Sequence, residues 1–169
     1  MLSAVLSKKT CAECRFCCSF RRKSLWETPL LSEEFMKMHT VSVNGEPVAY
    51  RNYSDKGLIY GQTDLTKFYK TDDPEEEVTC PFLDPEKGCS LPEDEKPFDC
   101  KIWPLRYMRM PERDCKVCLT PTCPAINKID VSVMEDLVRN GLGDKIREYA
   151  DTHPYIIKDY RDGFIVLER

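Results

Sequence analysis

The chain has 169 residues, with 25 Lys or Arg against 29 Asp or Glu, a formal net charge of -4 and a hydrophobic fraction of 41%. Such a length suits a single domain over residues 1–169 with a modest core. The apolar fraction excludes a disordered chain, and the acidic balance argues against a nucleic-acid partner. Ten cysteines exceed what a core of this size uses as small hydrophobes, so they are the first functional signal.

The elements follow in chain order. Residues 1–23 carry six cations (Lys8, Lys9, Arg15, Arg21, Arg22 and Lys23) against the single acid Glu13, and they also hold four cysteines. Cations beside thiols lower their pKa and offset thiolate charge. Ser32-Glu33-Glu34-Phe35-Met36-Lys37-Met38 reads as a short helix capped by Ser32. Val41–Val43, Val48–Tyr53 and Leu58–Tyr60 read as strands, with Asn44-Gly45 and Lys56-Gly57 as the turns between them. Residues 61–79 are polar, with a short helical turn over Leu65–Tyr69 and a solvated acidic run over Asp72–Glu77. Residues 80–124 combine six cysteines with frequent prolines, a composition that keeps elements short. Within them Leu105–Met110 and Cys115–Leu119 read as two strands joined across Pro111–Asp114. Ser132 to Glu135 reads as a capping box, Asn140-Gly141 as a helix end, and 143–152 as a second helix burying Ile146 and Tyr149. Tyr155–Arg161 and Phe164–Glu168 flank Asp162-Gly163, which predicts a C-terminal β-hairpin. The fold class expected is therefore α+β, loop-rich, with short helices and that hairpin.

The compartment decides what the cysteines do. The stretch Met1–Lys9 is too short and too charged at its end to be a signal-peptide core, and no window approaches the ~18 apolar residues of a membrane span. The expectation is a cytoplasmic protein without a membrane partner, whose thiols stay reduced and serve metal rather than disulfides. Cys11, Cys14, Cys17 and Cys18 form C-x2-C-x2-C-C. On a helix at about 100° per residue these four fall within an arc of about 120°; a looped conformation is equally compatible with a metal site. The adjacent pair points its thiols in different directions, which suits two metal ions better than one. Cys80, Cys89 and Cys100, then Cys115, Cys118 and Cys123, form a second group in loops stiffened by proline and glycine. Ten cysteines allow two four-ligand sites with two left over. His39 and His153 stand apart from these motifs and read as surface or capping residues.

Cys11-Ala-Glu-Cys14-Arg-Phe-Cys17-Cys18, then Cys80-Pro81-Phe82-Leu83, then Gly88-Cys89-Ser90-Leu91, then Pro97-Phe98-Asp99-Cys100-Lys101-Ile102-Trp103-Pro104, together resemble the CxxCxxCC cysteine-cluster family. That family is also called YkgJ-like and is described as a zinc- or iron-chelating domain. The departures are Lys96, Lys101 and Trp103, where the family usually has Arg, Arg and Phe. Cys123-Pro124-Ala125 resembles a late Cys-Pro-Gly element, and the likeness covers residues 11–126. It implies Cys11, Cys14, Cys17, Cys18, Cys80, Cys89, Cys100 and Cys123 as the ligands, leaving Cys115 and Cys118 as a metal knuckle, a redox dithiol or a reduced pair on a strand. On a strand those two face opposite sides, which weakens the dithiol.

All-thiolate coordination suits both an iron–sulfur cluster and zinc. Dense x2 spacing with an adjacent pair favours the cluster, most simply a 4Fe-4S centre, acting in electron transfer or as the redox partner of an enzyme. Phe16, Phe20, Phe82, Phe98 and Trp103 would then shield it from water. A zinc-stabilised interaction module is the alternative, and a cluster-dependent transferase or oxidoreductase a further one. For an enzyme, Asp99, Asp114 and Arg106 lie near the cysteines in sequence, but no phosphate-binding, dinucleotide, zinc-protease or serine-hydrolase motif accompanies them.

Overall fold

A computed structural model describes residue 2, residues 8–22 and residues 26–168, with the side chains of Lys8 and Cys11 excepted. The chain is α+β and divides into two compact units, one over residues 8–100 and one built on residues 101–169. No helix among the described residues is long and apolar enough to cross a membrane.

The first unit is organised around a four-stranded antiparallel sheet. Its members are β2 (Leu31–Ser32), β3 (Val41–Val43), β4 (Glu46–Asp55) and β5 (Leu58–Asp64), in the order β2-β5-β4-β3. Two-residue turns set its register. Asn44 and Gly45 have φ of 52° and 81°, and Lys56 and Gly57 have 49° and 84°. Two consecutive positive φ values make the turn whose twist matches the flanking strands. Between β2 and β3 lies α2 (Glu33–Met38), where Ser32 Oγ accepts from Phe35 N–H at 3.2 Å. Glu33 and Glu34 occupy its first turn, as the helix dipole favours. Two small cores result. Phe20, Val41, Val48 and Leu65 form one, with Cys80 and Phe82 packed against it. Leu31, Phe35 and Leu91 form the other.

The expected helical turn over Leu65–Tyr69 is a 3-10 turn at Thr66–Phe68. The acidic run is only partly a solvated loop. Residues 72–75 are exposed, whereas Glu76 is half-buried and accepts from Lys70 N–H at 2.6 Å and Thr71 N–H at 2.8 Å. Those backbone donors, with the Thr71 hydroxyl and Arg22, hold its carboxyl down at about 2.

The second unit carries a four-stranded sheet of its own. Strands β9 (Leu105–Arg109) and β10 (Cys115–Leu119) pair antiparallel, as expected, with Cys115 opposite Arg109 and Leu119 opposite Leu105. The predicted C-terminal β-hairpin does not form. Strand β11 (Lys158–Asp159) runs parallel to β9 on one edge, while β12 (Ile165–Val166) pairs antiparallel with β10 on the other. Asp162-Gly163 does turn the chain, with Gly163 at φ 94°. The β9–β10 pair, however, offers two open edges, and each flanking segment satisfies its backbone on a different one. Tyr160 N–H reaches Arg109 O at 2.9 Å, and Leu167 N–H reaches Val117 O at 3.0 Å.

Helices α4 (Val131–Leu137) and α5 (Gly143–Thr152) complete this unit, joined by a wide helical turn in which Gly141 takes φ 105°. Ile146 is fully buried on α5 and Tyr149 half-buried, and α5 packs on β9. The N-cap of α4 is Asp130, which accepts from Ser132 N–H at 2.9 Å. Ser132 lies inside the first turn and does not cap it. Asp130→Ala is expected to lower the unfolding midpoint more than Ser132→Ala does, because only Asp130 caps the helix. Urea denaturation followed by far-UV circular dichroism compares the two, and the reverse order would refute the assignment of the cap.

Candidate functional site

The N-terminal cysteines do not share one helix. Helix α1 (Lys8–Cys14) carries Cys11 and Cys14 and stops at Arg15, whose φ is 53°. Phe16–Cys18 then form a single 3-10 turn, closed by Cys18 N–H to Arg15 O at 2.9 Å. The chain leaves that turn as β1 (Ser19–Arg21), which pairs antiparallel with β6 (Glu77–Thr79). This ladder extends to the cysteines themselves, because Cys80 N–H donates to Cys18 O at 2.7 Å.

A second contact brings in Cys89. After Cys80 the chain forms a small hairpin of β7 (Leu83–Asp84) and β8 (Gly88–Cys89), with Leu83 opposite Cys89. Leu83 N–H donates to Cys80 O at 3.0 Å. Helix α1 lies on β8 so closely that a Cβ on Gly88 would sit 3.0 Å from the Ala12 Cβ, at a φ of 83°. Arg15 ties the same pieces together, donating from Nε to Ala12 O at 2.9 Å and from Nη2 to Pro85 O. The C-x2-C-x2-C-C stretch therefore rests directly on the segment 80–89.

Cys100 sits on α3 (Phe98–Ile102), its N–H bonded to Pro97 O at 3.0 Å. Its surroundings are electrostatically those of Cys17, Cys80 and Cys89. Burial pushes the Cys80 thiol up to about 12, against a Phe82 N–H that favours the thiolate, and the charges of Cys89 and Cys17 add to the rise. Cys100 is raised well above its ordinary range by burial of the sulfur, then by Cys80, Asp99, Cys17 and Cys89. The Cys100 residue as a whole keeps an exposed surface, so it is the crowding of atoms around the sulfur that counts. Four reduced thiols, from three separated segments, thus occupy one neighbourhood. Their chemistry is the donor set that thiophilic metals take. Among the described residues, no three His, Cys, Asp or Glu side chains are drawn to metal-holding geometry.

The other expected ligands are placed as follows. Cys14 is exposed on α1, Cys18 is half-buried, and the Cys11 side chain lies outside the described residues. Cys123 is buried in the second unit, at 5% exposure. Cys115 and Cys118 lie on β10, the first half-buried and the second fully buried beside Val117 and Leu119. Burial, with Glu168 adding, raises the Cys118 thiol to about 11.

The basic segment around the first cysteines has other partners. Arg21 is bridged to Glu27 and, at 3.0 Å, to Glu75, and Arg22 lies 3.5 Å from Glu76. One cation that senses Cys89 and Cys100 is Lys96. Burial would lower its pKa, but the Glu93 carboxylate at 2.7 Å and the charges of Cys89 and Cys100 outweigh that and raise it. Its position just before Pro97 is the available sequence signal. Of the candidate acid–base residues, Asp99 is 2% exposed and accepts from Leu30 N–H at 2.9 Å, which is an anchoring role. Arg106 lies in the second unit with its guanidinium 4.6 Å over the Trp103 ring, and Asp114 pairs with Lys116 at 3.7 Å. His39 and His153 both cap helix C-termini, of α2 and α5. Phe20 is core and Phe82 packs against it, but Phe16 is 44% exposed.

Burial and thiol chemistry predict a reactivity order in the reduced, metal-free protein. Iodoacetamide at pH 8 labels the exposed Cys14 and spares Cys118, because thiolate is the reacting form and Cys118 is both protonated and covered. Labelling of Cys118 appears when the fold is lost or as the pH nears about 11. Mass spectrometry of the digest reads both sites, and equal rates at pH 8 would contradict this placement.

No protein family, curated protein or solved structure matches this chain.

Proposed function

We propose that this is a metal-thiolate protein of the CxxCxxCC cysteine-cluster kind, binding an iron–sulfur centre for electron transfer or as the redox partner of an enzyme. The observation that carries this reading is the seating of the C-x2-C-x2-C-C stretch on Cys80 and Cys89 through the Cys18–Cys80 backbone bond and the α1–β8 contact. Cys17, Cys80, Cys89 and Cys100 are the central ligands, with Cys14 and Cys18 on the same N-terminal stretch; Cys11 and Cys123 enter the set by the resemblance alone. The surplus of thiols over one four-ligand set favours a polynuclear centre. When bound, the centre supplies a one-electron redox couple. The protein's part is to hold the thiols on short, tied segments and to keep water away with Phe20, Phe82 and their core.

A second reading is structural zinc. Cys17, Cys80, Cys89 and Cys100 as one mutually interacting set have the number and type of donors that a closed zinc site uses. In that case the metal stabilises the first unit, and chelation unfolds it.

Anaerobic purification with metal and sulfide analysis separates the two. The expected protein is brown, contains iron and acid-labile sulfide in similar amounts, and bleaches in air. Cys17→Ser, Cys80→Ser or Cys89→Ser removes most of the iron, while Cys115→Ser keeps it. Colourless protein with stoichiometric zinc moves the assignment to the second reading, and colourless protein without bound metal defeats both.

A further inference from the structure

The first unit contains a cleft of about 610 Å³ that shares only Cys80 with the proposed ligands. It is bounded by two strands that each end a sheet, since β3 pairs only with β4 and β6 only with β1. The register shows which backbone groups each of these ladders leaves unused. On β3 the two-residue turn makes Val43 and Glu46 a hydrogen-bonded pair, so Ser42, opposite Pro47, is not one. Pro47 has no N–H to offer, and the Ser42 N–H and C=O point away from β4. On β6, Cys80 N–H to Cys18 O and Arg22 N–H to Glu76 O mark the bonded pairs. Val78 therefore faces β1, and the N–H and C=O of Glu77 and Thr79 point away from it.

Ser42, Glu77 and Thr79 all line this one cleft and are all exposed, and among the described residues no hydrogen bond satisfies their outward backbone groups. The half-buried Val43, Phe68 and Val78 line it as well. Its charges balance, with Lys67 and Lys70 against Glu46 and Glu77, which disfavours a polyanion such as nucleic acid.

We propose that this cleft binds an extended segment of a protein partner as an added β-strand. The segment hydrogen-bonds to Glu77 and Thr79 along the β6 edge, with Ser42 facing it from the other wall. An extended chain offers the one arrangement of donors and acceptors that matches such an edge. Alternate side chains of that segment turn toward Val43, Phe68 and Val78, so the occupant carries β-branched or other apolar residues at every second position. The volume suits about four to five residues. Cys80 belongs to the same wall, so the segment comes to rest beside a thiol of the proposed metal site. The strand-binding inference stands on the two edges and does not require metal.

The probe is a set of synthetic peptides recovered by panning a displayed random heptapeptide library on the full chain. Each is titrated into nitrogen-15-labelled protein and followed by NMR. The expected result is that the amide signals of Ser42, Glu77 and Thr79 shift together. N-methylation of the peptide at alternate backbone nitrogens should weaken binding about tenfold, and at the intervening nitrogens much less. Ser42→Pro, placed where no β4 bond is lost, should weaken binding as well. The N-methyl series tests the idea on the wild-type chain should that variant not fold. Failure to recover peptides, shifts confined to other residues, or indifference to N-methylation at either register would overturn the proposal. Shifts at the same three amides that depend on protein concentration alone, with a dimer in sedimentation, would replace the partner by a second copy of the chain.

Discussion

The backbone bond from Cys80 N–H to Cys18 O is the constraint on which the first unit depends. It continues the β1–β6 ladder and brings together segments some sixty residues apart in the chain. Closing a flexible loop of that length costs about 4 kcal/mol of chain entropy beyond a constant. Burying Phe20, which is 2% exposed, returns about 2–3 kcal/mol, and the ladder bonds contribute about 1 kcal/mol each. The β2–β5 sheet in between shortens the effective loop further. Apolar burial and backbone pairing thus offset the cost of closure, and they bring Cys18 and Cys80 together through forces unrelated to thiol chemistry.

Each tie around that bond uses a different physical means. Gly88 allows α1 to touch β8 because it has no side chain and accepts a positive φ. Arg15 joins α1 to the β7–β8 hairpin through backbone carbonyls. Asp99 fixes α3 to the segment before β2 through Leu30 N–H. Arg21 and Arg22 secure the far end of the ladder against Glu27, Glu75 and Glu76. Of the cations near the first cysteines, Arg21 and Arg22 thus act on the acidic run, while Lys96 shares its field with Cys89 and Cys100.

What was legible in the sequence followed from local chemistry. Ser32 capped its helix, Asn44-Gly45 and Lys56-Gly57 turned their hairpins, and β9 and β10 met across Pro111–Asp114. The C-terminal hairpin shows the limit of such reasoning. Asp162-Gly163 specifies a turn, but a turn does not choose the pairing partner. The open edges of β9 and β10 competed for the flanking strands and won. The cap of α4 is similar, since Asp130 and Ser132 both have the chemistry and only the backbone path decides between them. In the site, the spacing of Cys11, Cys14, Cys17 and Cys18 is equally compatible with one helix and with a loop. Arg15 in the left-handed region resolves it by splitting the four thiols between α1 and a 3-10 turn.

The same spacing has different consequences in different settings, and this is why motif counting divides the ten cysteines only coarsely. In C-x2-C on β10, the strand period sends Cys115 and Cys118 to opposite faces. Cys118 is left buried among Val117, Leu119 and their neighbours. There a cysteine is a small apolar residue held protonated by its surroundings. In C-x2-C-x2-C-C the helix ends before the third thiol, and the backbone turn carries Cys17 into the surroundings of Cys80 and Cys100. A thiol there meets other thiols, and its charge becomes their concern. Proximity across the fold, imposed by β1, β6 and the β7–β8 hairpin, is what distinguishes a candidate ligand from a core residue of the same type.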